Sequence, residues 1–335
     1  HTALARAGWL AAAARLCRRL IWLAPGDQEL DALLAATSPQ GLPPLRSSEP
    51  LTPLSLLDQL AGDRRESLAE DRPAPPSEAL FHWERPEEPP EAAVLVSLHN
   101  YAGRIAEALE SVARQRQRRL ELIVVDDASS DDGAAVVQAW MTARLQAADH
   151  PFVRMLLLRH AANAGLAAAR NSAFAAATAA WCFVLDADNI LLPDAVGECL
   201  SLARGAADDL AVVHPLLAVE AEPGCGHDQR TLVGPQSWQR ERFRSGNFVD
   251  AMALVRRRAW QAVAGYTHIA DGWEDYDFWC KLLDAGFHGL QCPRVLAVYR
   301  SHLGSMSDRF TSQRQRALAR TLQRRHPWLE LPLAD

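Results

Sequence analysis

The sequence predicts an α/β protein built on an open, mostly parallel sheet. Three observations carry this. Four short apolar runs, each bounded by polar turns, alternate with helical patterns between residues 92 and 185. The runs are near-continuously apolar, as in strands covered on both faces. Three of them exit into His, Asn or Asp residues, which places polar groups where open α/β sheets take ligands.

The runs fall in a clear order. Ala92–Leu98 reads as a strand, and Arg104–Arg114 as a helix carrying Ile105, Leu109 and Val112 on one face. Leu120–Val125 is a second strand ending at Asp126-Asp127, with a helix over Gly133–Gln146. Val153–Leu158 is the third strand, Gly165–Thr178 an Ala-rich helix, and Trp181–Leu185 the fourth strand, followed by Asp186-Ala187-Asp188-Asn189. A closed barrel is disfavoured because the alternation fades after about residue 200. One more helix is expected near Glu274–Ala285.

The flanks differ. Residues 1–36 are Ala- and Leu-rich and predict a helical hairpin. Gly8, Ala12-Ala13, Cys17, Leu20 and Pro25 resemble the second half of a tetratricopeptide repeat, and a generic hairpin satisfies the pattern equally. Residues 37–90 carry prolines at 39, 43, 44, 50, 53, 73, 75, 76, 86, 89 and 90, and predict a linker with one short helix around Leu54–Leu68. A chain beginning near Glu87 is therefore expected to fold. Residues 311–335 are expected to form a C-terminal helix and tail.

Composition narrows the function. The chain of 335 residues is 49% hydrophobic, enough for a substantial core, and its net charge of −6 without a basic block argues against nucleic acid. The cluster Arg114-Gln115-Arg116-Gln117-Arg118-Arg119 reads as a solvated helix end. No apolar run is long enough to span a bilayer. The six cysteines are scattered, and Cys182 and Cys280 read as buried thiols, which fits a reducing, cytoplasmic setting, including the inner face of a membrane.

The candidate chemistry sits at the strand exits. Asp186-Ala187-Asp188 puts two carboxylates one residue apart after a buried strand, an arrangement usually neutralised by a divalent cation carrying phosphates. Asp126 and Asp127 suit hydrogen bonds from a nucleobase or ribose, whereas Ser129–Asp132 reads as a helix cap. His99, Asn100 and Tyr101 add rings and an amide. Glu274, Asp275 and Asp277 crowd the first turn of a helix, where the macrodipole favours acids and where one can act as a base.

Several motifs in order resemble the family-2 glycosyltransferases, which have the GT-A fold: Val96–Tyr101, Val125–Asp131, Asn163–Asn171, Leu185–Asn189, Gly272–Asp275 and Tyr299–His302. The resemblance covers residues 91–310, divided into a nucleotide-binding half (91–200) and an acceptor half (201–310). It implies transfer of a sugar from a nucleotide-sugar, a UDP-sugar first among them, to a saccharide or glycoconjugate hydroxyl, with inversion and with Mn²⁺ or Mg²⁺. By matching positions, Asp126 or Asp127 holds the base. His99 stacks beside it, where the family usually has Tyr, and Asn100 adjoins it. Leu98 replaces a common proline. Asp186 touches the donor sugar or ribose, Asp188 and His302 hold the metal, and Asp275 is the general base. Arg170 and Arg300 are expected to meet phosphate, with pairing of Arg170 to Asp126 or Asp127 left open. Trp273 and Glu274 face the acceptor. A degenerate, binding-only relative of such an enzyme is the competing expectation.

Overall fold

The structure, a computed structural model, describes residues 69–70, 74–147, 149–222, 232–270, 272–302 and 312–332. The expected hairpin at 1–36 and the short helix around Leu54–Leu68 lie outside the described residues. All of them but Pro332 fall in one compact unit, Leu68–Leu331.

At its centre are four parallel strands: β3 (Ala92–Leu98), β4 (Leu120–Asp126), β5 (Phe152–His160) and β6 (Trp181–Asp186). They lie in the order β5-β4-β3-β6. The chain therefore moves outward from β3 in one direction, then crosses back to its other side. This reversal is a topological switch point, and the crevice it opens faces the carboxyl ends of β3 and β6. The register sets Leu98 beside Asp126 and Ser97 beside Asp186, so both acidic exits reach one rim.

These strands form because their residues are apolar on both faces and both faces are covered. Every residue of β4 is buried. Helices α1 (Ile105–Ala113), α2 (Gly133–Leu145) and α3 (Leu166–Ala176) link them, and α3 packs on β3 and β4 through buried Ala167, Ala168, Ala169 and Ala173. Their small side chains bring the helix close to the sheet. Leu95, Leu122, Val124, Phe183 and Leu185 are 2% exposed or less. Truncating such a side chain to Ala typically costs about 2–5 kcal/mol.

Beyond β6 the sheet turns mixed. After β7 (Ile190–Leu191) and α4 (Ala195–Ala203) come β8 (Leu210–Ala221), β9 (Leu232–Val233), α5 (Arg240–Phe243), β10 (Leu254–Arg256) and α6 (Arg257–Ala262). Strand β11 (His268–Ile269), α7 (Glu274–Asp284), β12 (His288–Ser301) and α8 (Ser312–Arg325) follow. Strand β10 pairs antiparallel with both β6 and β8, while β12 runs parallel to β8. Strand β12 delivers the chain to His302 beside the β6 exit. No helix among the described residues is long and apolar enough to cross a membrane.

One correction concerns the front of this unit. Ser77–Glu84, inside the segment expected to be linker, forms strand β2, which pairs antiparallel with β5 and closes that edge of the sheet. Ala69–Glu70 forms a short strand, β1, paired with β11. The prolines at 75, 76 and 86 bracket β2 without interrupting it, and an edge strand tolerates such neighbours. The arginines of the Arg114–Arg119 cluster lie at the surface, where Arg116 pairs with Asp194, Arg118 with Asp149 and Arg119 with Glu91, while Gln115 among them is buried.

The position of β2 revises the expected boundary. A chain beginning at Glu87 uncovers the whole edge of β5 and is expected to aggregate or melt at lower temperature than one beginning at Ala74. Light scattering and thermal unfolding of the two compare them directly. Equal stability would mean that β2 adds nothing to the fold.

Candidate active site

The rim begins where β3 ends. His99 is exposed, and its Nδ1 lies 3.0 Å from the carbonyl of Asp127. If Nδ1–H donates there, Nε2 is left to accept from Asn100 Nδ2 at 3.2 Å. Asn100 has φ 59°, a left-handed conformation that Asn tolerates better than most residues. It is held by Ser129 Oγ, which accepts its N–H at 3.0 Å, and by Ser130 N–H, which donates to its Oδ1 at 2.8 Å. Asp131 accepts the N–H groups of Gly133 and Ala102, so the expected capping role falls to it.

The two carboxylates after β4 differ. Both oxygens of Asp127 are occupied, Oδ1 by Ala164 N–H (3.0 Å) and His160 (2.7 Å), Oδ2 by Gly165 N–H (2.7 Å). Asp127 therefore fixes the entry to α3. That entry needs Gly165: at φ +90° its Cα faces the His268 ring, and a Cβ would lie 2.7 Å from it. Asp126 accepts from Ser129 N–H through Oδ1, while its buried Oδ2 has only Arg159 Nε at 3.4 Å. Of the pair, Asp126 keeps an oxygen without a hydrogen bond, buried beside Arg159.

Arg170 lies elsewhere than expected. It does not pair with Asp126 or Asp127, and it is buried, 3% exposed, between Asp186 Oδ1 (2.9 Å) and Glu274 Oε1 (2.7 Å). Its guanidinium also sits 5.4 Å from the ring centre of Tyr266. A cation so enclosed and doubly paired is a structural bridge, which removes it from the expected phosphate contacts. Arg300 is likewise committed: its Nε donates to the Asp188 carbonyl at 2.5 Å and Nη1 to Glu107 at 2.5 Å, and its own N–H meets Asn189 Oδ1. Only its buried Nη2 lacks a partner.

Asp188 and His302 do come together, Oδ2 to Nε2, at 3.0 Å. The Tyr101 ring packs edge-on against His302, and burial together with the charge of Asp188 holds its hydroxyl well above the usual range. Burial and the charge of Asp186 hold the Asp188 carboxyl above its usual range, against the opposing pull of His302.

The first turn of α7 forms the opposite wall. Gly272 (φ 120°) and Trp273 (φ 65°) turn the chain sharply into the helix. Its three acids have separate surroundings. Glu274 is held by Arg170. Asp277 is fully buried, bonded to Arg325 Nε (2.5 Å) and His326 Nε2 (3.0 Å), and held down at about 2 by these partners despite its burial. Asp275 has no ion-pair partner among the described residues. Its Oδ1 accepts from Tyr276 N–H (2.7 Å) and its Oδ2 from Asn247 Nδ2 (3.0 Å). Burial, then the neighbouring charge of Glu274, pushes it up to about 8.

Asn247 and Asp250, on the loop before β10, were not foreseen. Asp250 is pushed up to about 7 by burial and by the charge of Asp186, and its Oδ1 accepts from Met252 N–H. No local pattern marks either residue. Among the tryptophans, Trp279 is core, fully buried and bonded to the Val249 carbonyl, while Trp273 is half-buried.

An open, largely parallel sheet with carboxylates at its switch point and an acid-bearing helix beside them matches the GT-A fold of solved glycosyltransferases. The family model described as Glycosyl transferase family 2 matches residues 93–263, and the chain belongs to that family and is a glycosyltransferase. It is 29% identical over 211 residues to succinoglycan biosynthesis protein ExoU of Rhizobium meliloti (strain 1021), covering 59% of this chain and 58% of that one. It is 26% identical over 200 residues to chondroitin synthase of Escherichia coli, covering 59% of this chain and 27% of that one. The chain thus spans only part of the length of these relatives. Among solved structures, S. aureus TarS in complex with UDP-GlcNAc superposes with TM-score 0.53 at 16% identity, covering 71% of this chain and 73% of that one. Mannosyltransferase PcManGT from Pyrobaculum calidifontis, with GDP-Man and Mn²⁺, gives 0.50 at 19%, covering 79% and 69%.

The Asp277 cluster makes a separable prediction. Its carboxyl is held below the unfolded value, so its stabilisation is present above about pH 4 and is lost as pH falls through about 2. Asp277→Asn is expected to destabilise the protein by about 2 kcal/mol at neutral pH while leaving nucleotide binding intact. Denaturant unfolding and calorimetry with UDP test the two halves. Unchanged stability would show that the cluster does not tie α8 to α7.

Proposed function

We propose that this glycosyltransferase moves a sugar from a nucleoside-diphosphate donor to a hydroxyl of a saccharide or glycoconjugate, inverting the anomeric carbon, with Asp275 as the general base. The observation that carries the reading is the inequality of the three acids at the start of α7. Arg170 holds Glu274, Arg325 and His326 hold Asp277, and Asp275, half-buried, is the one of the three without an ion-pair partner among the described residues.

The donor lies along the rim. His99 offers a ring face to the base, with Asn100 beside it, and a shift of Arg159 that uncovers Asp126 Oδ2 lets it accept from the base or ribose. Asp186, fixed by Arg170, is placed for the ribose or donor sugar. Asp188 and His302 fit a divalent cation: a carboxylate oxygen and an imidazole nitrogen meet at 3.0 Å, a donor pair that suits Mn²⁺ better than Mg²⁺. No group of three such side chains occurs among the described residues, so phosphate and water oxygens would complete the shell. When bound, the cation would offset the charge of the leaving diphosphate. A UDP-sugar is the favoured donor, and the UDP-GlcNAc and GDP-Man held by the two solved neighbours make these the first donors to try.

On the other wall, Asp275 takes the acceptor's proton as the acceptor oxygen bonds to the anomeric carbon. The electron pair of the broken sugar–phosphate bond leaves with the diphosphate. A single base suffices for such in-line displacement. Trp273 presents an aromatic face to the acceptor ring. Glu274 shapes this wall through Arg170.

Two experiments test this. Calorimetry with UDP and with GDP is expected to show binding that depends on Mn²⁺, with Asp188→Ala losing at least tenfold in affinity. Equal affinity in EDTA would remove the cation from the account. Asp275→Asn is expected to keep donor affinity and lose about 10²–10⁴ in turnover, the usual worth of a positioned base. Because the base acts ionised and burial with the charge of Glu274 pushes its carboxyl up to about 8, wild-type kcat/KM is expected to fall with pH below that value and to level off above it. A flat profile or an active Asp275→Asn would place the base elsewhere.

A further inference from the structure

We infer that Asn247 is a positioning residue for Asp275, setting both the orientation and the basicity of the proposed base; this rests on the reading of Asp275 given above. The side-chain amide of Asn247 is used at both ends. Its Oδ1 accepts from Val249 N–H at 3.1 Å, which turns Nδ2 toward Asp275 Oδ2 at 3.0 Å. The loop around it is fastened to α7 on either side. Tyr276 Oη donates to the Phe243 carbonyl, and Trp279 Nε1 donates to the Val249 carbonyl at 3.0 Å. The amide is thus held against the turn of helix that carries Asp275.

With Tyr276 N–H on Oδ1 and Asn247 on Oδ2, the carboxylate is clamped in one rotamer. A carboxylate oxygen accepts more than one hydrogen bond, so Oδ2 can still receive an acceptor hydroxyl. The Asn247 donor also favours the ionised form. This matters because the other groups around Asp275 mostly oppose ionisation. Glu274 and Asp250 add like charge, Tyr266, Tyr276 and Cys280 are uncharged neighbours, and Arg170, the cation that acts on it, is already shared by Asp186 and Glu274. An Asp at position 247 would remove the donor and add a like charge, so Asn is the residue type this position requires.

The test measures Asp275 itself. Carboxyl ¹³C NMR of the full chain, with Asp275→Asn assigning the resonance, is expected to show the Asp275 titration moving up by about one pH unit in Asn247→Ala, and further in Asn247→Asp. Calorimetry with UDP checks that each variant keeps its fold and donor site. Hydrolysis of UDP-GlcNAc and GDP-mannose supplies the second readout: the acidic limb of kcat/KM moves by the same amount, and Asn247→Ala costs nothing further in an Asp275→Asn background. An unmoved titration overturns the inference, as do losses that add in the double variant, which would make Asn247 a substrate contact. The titration decides even where neither donor is turned over. If it moves while Asp275→Asn hydrolyses donor at the wild-type rate, the contact stands and the base reading alone fails.

Discussion

The site depends on one buried cation. Arg170, on α3, joins Asp186 at the end of β6 to Glu274 at the start of α7, residues 104 positions from it in the chain in the second case. Burying a guanidinium costs several kcal/mol, and two close carboxylates offset that cost only where the geometry holds all three. Removing Arg170 would leave two acids uncompensated near Asp188, Asp250 and Asp275. The bridge therefore fixes the distance between the wall that carries the donor residues and the wall that carries the proposed base.

The same contact sorts the acids. Carboxylates packed this closely would share protons and blur their roles unless something separated them. Arg170 takes Asp186 and Glu274, the C-terminal pair Arg325–His326 takes Asp277, and Asp127 is consumed by the backbone at the start of α3. Asp126 has Arg159 at 3.4 Å, Asp188 meets His302, and Asp275 has no ion-pair partner among the described residues. The roles proposed for these acids in base recognition, diphosphate binding and proton transfer rest on this sorting.

Much of this was legible in the sequence. The four parallel strands announce themselves as apolar runs, and their acidic exits follow once the strands are placed. Strand β2 was hidden because its prolines suggested a linker, although they only flank it. The partners of Arg170 were hidden for a different reason: a helix residue can reach either neighbouring strand end, and only the crossover decides which. Nothing in Glu274-Asp275-Tyr276-Asp277 distinguishes the acids, because their differences arise from Arg170, Arg325, His326 and Asn247, all remote in the chain. Asn247 and Asp250 sit in an irregular loop with no periodicity to read.

If the acceptor attacks the face opposite the departing diphosphate while one carboxylate takes its proton, the anomeric centre inverts. Proton NMR of the sugar first released or transferred from an α-linked donor, UDP-GlcNAc or GDP-mannose, measures this before mutarotation obscures it. The account predicts the β anomer as the initial product. An initial α anomer would contradict it, and would require either a second carboxylate acting as nucleophile or departure and return on one face.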